Sequence, residues 1–279
     1  MLPVQLTNIP PCASLLEYVR KYQVFRFVFD KNIIPPVKFH APRPEHSITF
    51  YVRDAQTFSE YNSGTILSYP RCVINGMYTV PIYRYGGNDF WAIKVVLQPS
   101  TLFHLTKTNL GGITNHFLDA EEVWGKEICL ICDQLNTLED LNEMIKVIEA
   151  FLEKKVKKIK KPYHPIDNVS HIILNQENKA SLDWLASQSC LSTRQFSRLF
   201  EERIGVSAKT FKRIVRFDKA YRAKNSQPES DWLFIAVDCD FYDYQHLVKD
   251  FKEFTKLTPP AFYEVEKRSP ERSFGLFEA

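Results

Sequence analysis

The sequence predicts an α+β protein: a β-rich N-terminal domain of barrel or sandwich type, a helical connector, and an all-α C-terminal domain. Three observations predict it. The first hundred or so residues are dense in aromatic and β-branched side chains, with turn signals between short runs. From about Leu118 the apolar residues recur at helical spacing. Beyond Pro165 no β pattern returns, and one supersecondary unit occurs twice.

The expected strands are Val24–Phe29, Ser47–Val52, Gly64–Tyr69, Tyr78–Tyr85 and Phe90–Val96. The last two flank Gly86-Gly87-Asn88, a hairpin signal. Ile34–Pro44, rich in proline, reads as a loop. Ala120–Leu135 and Leu138–Val156 read as helices, the second with a stripe of Leu141, Ile145, Ile148 and Leu152. A lysine run over 153–161 follows, then Pro162 and Pro165. Lysine suits a helix C-terminus and proline stops a helix, so the domains are expected to divide at 1–161 and 162–279.

Composition narrows the function class. The apolar and charged fractions, 44% and 25%, are those of an ordinary globular protein. No run of eighteen apolar residues occurs, and the first residues lack a charged start before an apolar core. A cytoplasmic protein without membrane contact is expected, its six scattered cysteines reduced. The net charge of +3 says little, but its distribution says more. From Ser192 to Lys224 ten basic residues stand against three acidic ones, a footprint that suits phosphate.

Within 181–205, Ser181 starts a short helix with Leu182, Leu185 and Ala186 facing inward. A turn at Ser189-Cys190-Leu191 leads to Ser192, a second cap. The following helix buries Phe196, Leu199 and Phe200, and Gly205 ends it in the left-handed C′ position. Its opposite face carries Arg194, Ser197 and Arg198. Arginine donates two hydrogen bonds to guanine O6 and N7, and serine reaches either kind of base edge. A short helix, a tight turn and a second helix with a basic face present that helix to a major groove. One such unit alone is equally an αα-hairpin with surface arginines. The layout returns at 230–254, where Ile235-Ala236 repeat Leu185-Ala186 and Leu247, Phe251 and Phe254 form the buried stripe. Tyr244, Gln245, Val248 and Lys249 face out, and Ser207–Lys224 forms one long helix between the units, with Phe211, Ile214, Val215 and Tyr221 inward.

From about Ile166 to Tyr263 the chain resembles the DNA-binding domain of the AraC family of bacterial transcription regulators. The residues that carry the resemblance are Leu185-Ala186, Leu191-Ser192, Arg198-Leu199-Phe200, Gly205-Val206-Ser207, Phe211, Arg216-Phe217, Ala220, Ile235-Ala236, Phe241, Phe251-Lys252 and Thr258-Pro259. The resemblance implies two reading helices entering successive major-groove segments roughly 34 Å apart on one face of DNA. It places base or phosphate contacts at Ser192, Thr193, Arg194, Ser197, Arg198 and Lys209, then at Tyr244, Gln245 and Lys249. The second unit departs from the family. Asp240 and Lys256 stand where glycine is usual, Tyr242 where a small cap residue is usual, and Tyr263 where a basic residue closes the domain. From Asn225 to Ala279 six basic residues face eleven acidic ones. A poorly capped second helix beside Asp240, Asp243 and Asp250 is expected to grip phosphate weakly. Leu97-Gln98-Pro99, Phe103, Leu118-Asp119 and Trp124-Gly125 resemble the sensor half of an AraC-type subgroup found mainly in Bacteroidetes.

Other chemistry has little support. Cys129 and Cys132 form a CxxC in an apolar helix with no second pair, which reads as buried cysteine. His40, His46, His104 and His116 read as loop histidines without ligand spacing. No phosphate-binding glycine loop or hydrolase motif occurs, so no catalysis, metal or cofactor is expected. The N-terminal aromatics are core first and an effector pocket second. The expected function is a sequence-specific DNA-binding regulator of transcription, activator or repressor, with duplex DNA as partner. Its further candidate partners are RNA polymerase, a small-molecule effector in the N-terminal domain, and a second copy. The alternative is an interaction protein that uses the helix-turn-helix pair as a docking surface.

Overall fold

A computed structural model describes residues 4–159, 164–175 and 180–278. The expected boundary at Lys161 and Pro162, with the end of the lysine run, lies outside these residues. Among the described residues ten strands form two antiparallel sheets: β1 (Gln5–Ile9), β2 (Val19–Val28), β3 (Lys38–His40), β4 (Ser47–Tyr51), β5 (Thr57–Glu60), β6 (Leu67–Ser68), β7 (Cys72–Asn75), β8 (Ile82–Tyr85), β9 (Asp89–Leu97) and β10 (Phe117–Asp119). The larger sheet runs β1-β2-β9-β4-β7-β10 and the smaller β3-β8-β5-β6, both open at their edges. Of the two architectures expected, the layered one is observed and the closed barrel is not.

The hairpin expected at Gly86-Gly87-Asn88 does not form. β8 pairs with β3 and β5, whereas β9 pairs with β2 and β4, so the glycines carry the chain from one sheet to the other. The glycine at 87 is required for a tertiary reason: a Cβ there would collide with the Asp54 carboxylate, which accepts the Asp89 amide at 2.8 Å. The loop expected over Ile34–Pro44 contains β3, and Gly64–Tyr69 shortens to β6.

Helices α1 (Thr101–Thr106), α2 (Ala120–Trp124), α3 (Lys126–Thr137) and α4 (Leu141–Val156) follow. The helix expected over Ala120–Leu135 is broken at Gly125, whose φ is +62°. Asp140 caps α4 by accepting the Glu143 amide at 2.9 Å. Ile145, Ile148, Phe151 and Leu152 pack into the core of the larger sheet. Lys154 and Lys155 at its end bind the Glu127 carboxylate at 2.8 and 2.7 Å, so this part of the lysine run fastens α4 to α3.

The rest is helical: α5 (Pro165–Asn175), α6 (Leu182–Gln188), α7 (Thr193–Ile204), α8 (Ala208–Ser226), α9 (Trp232–Asp238), α10 (Tyr244–Thr255) and α11 (Pro259–Glu266), then a 3-10 turn at Pro270–Phe274. Their common core takes in Phe39, Ala41 and Met77 from the β-rich part. A buried apolar cluster that draws on both parts excludes water between them, so their relative placement is packed.

The histidines are not loop residues on the surface. His40 lies in β3 and His46 just before β4, both buried. His104, in α1, holds Asp167 of α5 at 3.0 Å. Of these four, His116 alone is exposed. Among the described residues no group of three or more His, Cys, Asp or Glu could hold a metal ion. No described helix is long and apolar enough to cross a membrane.

Candidate nucleic-acid interface

Two units repeat with the same turn chemistry. In the first, the Ser189 amide donates to Leu185 O, Cys190 to Ser187 O and Leu191 to Ala186 O. In the second, the Cys239 amide donates to Ile235 O, Asp240 to Val237 O and Phe241 to Ala236 O. Cys190 and Asp240 are the left-handed residues of the two turns, at φ +52° and +60°. The family's usual glycine is therefore replaced at Asp240 without loss of the turn, at a strain of roughly 1–2 kcal/mol. Past each turn the second unit carries one extra residue, Tyr242, which projects into solvent. Gly205 and Lys256 then close the reading helices alike, at φ +88° and +64°.

Each reading helix is capped. Ser192 accepts the Gln195 amide at 3.3 Å while the Gln195 side chain accepts the Ser192 amide at 3.2 Å, a complete capping box. The second helix, expected to start poorly, is capped by Asp243, which accepts the His246 amide at 2.8 Å. Asp243 therefore complements the helix dipole and does not merely repel phosphate. Leu185 and Ala186, Phe196 and Phe200, and Leu247, Phe251 and Phe254 are buried as expected. Leu182 is not; it is over a third exposed at the rim of a groove.

The expected readers separate by environment. Ser192, Thr193, Arg194, Ser197, Arg198 and Lys209 are all exposed. The Ser197 hydroxyl donates back to Thr193 O at 2.9 Å, which leaves its oxygen free to accept. Arg198 stands 3.7 Å from Glu202, a loose pair on the helix surface. In the second unit Gln245 and Lys249 are exposed, but Tyr244 is half-buried and packs on the helical core.

Most of the positive charge counted over Ser192–Lys224 is already engaged. Arg213 binds Asp250 at 2.7 Å and Glu253 at 2.5 Å, and Arg216 binds the other Asp250 oxygen at 2.7 Å. Asp250 is buried and neutralised, which corrects its expected role as a phosphate-repelling neighbour. The Arg213 guanidinium, against opposing burial, holds the Glu253 carboxyl below the usual carboxylate range. Arg222 binds Asp218 at 2.7 Å, and Lys224 donates to Pro228 O and Ser230 O. Arg203 lies over the Phe103 ring at 4.6 Å and 3.5 Å from Asp167. Arg194, Arg198 and Lys209 remain outward.

Further residues join the surface beside the expected readers. Leu182 of α6 with Lys209, Lys212, Arg213 and Arg216 of α8 lines a basic groove. His246 and Lys252 are exposed on α10, Lys252 seven residues beyond Gln245 on the same face. Helical spacing from Gln245 and Lys249 was the available signal. Leu233, Phe234 and Val237 of α9, with Tyr242, form a second, apolar feature, each more than half exposed.

A family model described as a helix-turn-helix domain matches residues 185–264. No curated protein matches the chain. Among solved structures the chain is similar to ToxT from Vibrio cholerae, with 12% identity over 88% of this chain and 97% of that one and a TM-score of 0.48. A structure of unsaturated-fatty-acid-bound ToxT from Vibrio cholerae strain SCE256 aligns at 10% identity over 92% and 97%, also with a TM-score of 0.48. The AraC-like transcriptional activator CuxR aligns at 13% identity over 73% and 74%, with a TM-score of 0.25.

Proposed function

Since residues 185–264 form an AraC-type helix-turn-helix domain, we propose that this protein is a sequence-specific DNA-binding regulator of transcription, read mainly through its first unit. The observation that carries this is the exposed set Arg194, Ser197 and Arg198 on a fully capped helix, in a region whose other cations are mostly held by protein partners. A pre-ordered helix that keeps two guanidiniums outward loses little side-chain order on meeting a base edge or a phosphate. Ser192, Thr193 and Lys209 add phosphate contacts beside it. Tyr244, Gln245 and Lys249 supply the weaker second contact.

Residues 1–161 form the sensing and assembly part and 162–279 the reading part. The natural partners of this arrangement are duplex DNA, a small-molecule effector in the β-rich part, RNA polymerase and a second copy, in the cytoplasm. Selection of bound duplexes from a random pool, followed by fluorescence anisotropy across a salt series, tests the reading. Enrichment of a defined site whose affinity falls steeply with salt is expected. Recovery of no preferred sequence would reject it. The exposed patch of Leu233, Phe234, Val237 and Tyr242 favours a second reading for the second unit alone, as a docking surface for protein.

A further inference from the structure

The two cysteines of α3 face a third sulfur from the larger sheet. Side chains alternate along β7, so Cys72 and Ile74 face the helices while Val73 faces the smaller sheet. The buried stripe of α3 is Ile128, Cys132 and Leu135, at i, i+4 and i+7. These faces meet, and Cys72 and Cys132 lie in one core, 3% and 8% exposed. Their chain neighbours pair as well: Arg71 binds Asp133 at 2.5 Å, both side chains more than half exposed. Strand and helix are thus joined twice, by an ion pair at the surface and by sulfur against sulfur inside it.

The three thiols are not equivalent. The Cys72 thiol donates a hydrogen bond to the Cys132 sulfur, and this bond, helped by the Arg71 guanidinium, lowers the Cys132 pKa against opposing burial. Burial, and then the same bond, push Cys72 well above the ordinary thiol value. Cys129, half-buried, donates to the Glu121 carboxylate, which pushes its pKa up. The thiolate is the nucleophile and the neutral thiol is not. Cys132 is therefore the sulfur that attacks, and Cys72 stands against it with its proton in place.

We propose that Cys132 is an oxidation site for hydroperoxides and that Cys72 resolves it as an intrachain disulfide between β7 and α3. In the first step the Cys132 thiolate attacks one peroxide oxygen and the O–O bond breaks. Cys132 becomes a sulfenic acid, and the departing alkoxide or hydroxide picks up the proton that Cys132 had given to water. In the second step the Cys72 sulfur attacks the Cys132 sulfur and the S–O bond breaks. Hydroxide leaves and takes the Cys72 proton to become water. Two thiols lose two electrons in all, and the peroxide is reduced to an alcohol and water, or to two waters when it is hydrogen peroxide. The oxidant reaches the sulfur by parting Arg71 from Asp133, an exposed pair of the kind that holds weakly. This site goes beyond the regulator reading and stands whether or not the chain binds DNA.

The test uses the full chain, reduced, freed of reductant and treated with hydrogen peroxide. Free thiols are then blocked with iodoacetamide and the peptides mapped by mass spectrometry without reduction. A Cys72–Cys132 linked pair is expected, lighter by two hydrogens, with Cys129 alkylated. With dimedone present, Cys72→Ser should accumulate a Cys132 adduct about tenfold above wild type, since serine keeps the hydrogen bond but cannot resolve a sulfenic acid. Cys129→Ser should oxidise like wild type. Arg71→Ala should raise the pH midpoint of Cys132 oxidation, and Arg71→Lys should raise it less; a purely structural role for Arg71 would leave the midpoint in place. A Cys129–Cys132 linkage, linkage only in denaturant, an adduct no larger in Cys72→Ser than in wild type, or an unoxidised Cys132 would each overturn the proposal. The wild-type map decides the linkage even where a core variant does not fold.

Discussion

The hydroxyl of Thr114 donates to the carbonyl of Gly205, so the β-rich part holds the residue that ends the first reading helix. The exposed start of α7 and its docked end thus lie on one helix, Thr193–Ile204. His46 bears on the same place, with its imidazole against the Ile204 carbonyl.

Thr114→Val leaves the Gly205 carbonyl without this donor and should cost about 1 kcal/mol. Thr114→Ser should restore it. Gly205→Ala should cost more, because φ is +88° and a Cβ would lie 3.0 Å from both Leu110 O and the Thr114 hydroxyl. Thermal melts of the three variants check the order. Gly205→Ala melting no lower than Thr114→Val would show that the contact is not tight.

Arg194→Ala and Arg198→Ala should each weaken binding to the preferred site by about 1–3 kcal/mol and relax specificity at one base pair. Gln245→Ala and Lys249→Ala should cost less, since the second unit also displays its apolar patch and an acidic surround. Anisotropy on all four variants at one salt concentration decides it. A larger loss from either second-unit change would make α10 the main reader.

Asp250→Ala strands the Arg216 guanidinium, about four-fifths buried, and leaves Arg213 with Glu253 alone, beside the junction of the two units. The expected loss of stability is about 3 kcal/mol, the usual range for breaking a buried charge network from one side. Asp250→Asn should lose less than the alanine variant, because it keeps hydrogen-bond acceptance. Denaturant midpoints give the comparison, and equal losses would mean that charge, not hydrogen bonding, holds the junction.

His46 supplies a pH dependence. Burial pushes its pKa from 6.5 down to about 4, only partly offset by the Ile204 carbonyl and by Glu45. A depressed pKa means that the unfolded chain takes up the proton first. The neutral ring therefore contributes stability above pH 6.5 that is lost as pH falls towards 4, about 3 kcal/mol over that window. His40 acts in the same direction, so the measure is the difference between wild type and His46→Gln. The variant should show the shallower loss between pH 6.5 and 4.5. Parallel curves would place His46 outside the acid response.

The sequence by itself determined the repeated unit. Apolar residues at i, i+3 and i+4 set the buried faces of α7 and α10, Ser192 set a cap, and Gly205 set a stop, all within one helix or turn. Local chemistry of this kind is legible because its partners lie within four residues. Asp243 as a cap was legible too, and was missed because Tyr242 shifts the second unit by one position. What only the tertiary structure decided depends on partners far along the chain. Gly86-Gly87 reads as a hairpin until Asp54 and the two sheets claim it. Asp250 reads as a phosphate-repelling charge until Arg213 and Arg216, more than thirty residues earlier, enclose it. The charge of Lys38 is set by carboxylates over two hundred residues away, which no spacing rule reaches. Periodicity reports which face of an element is buried; which element covers it is settled by the packing of the whole chain.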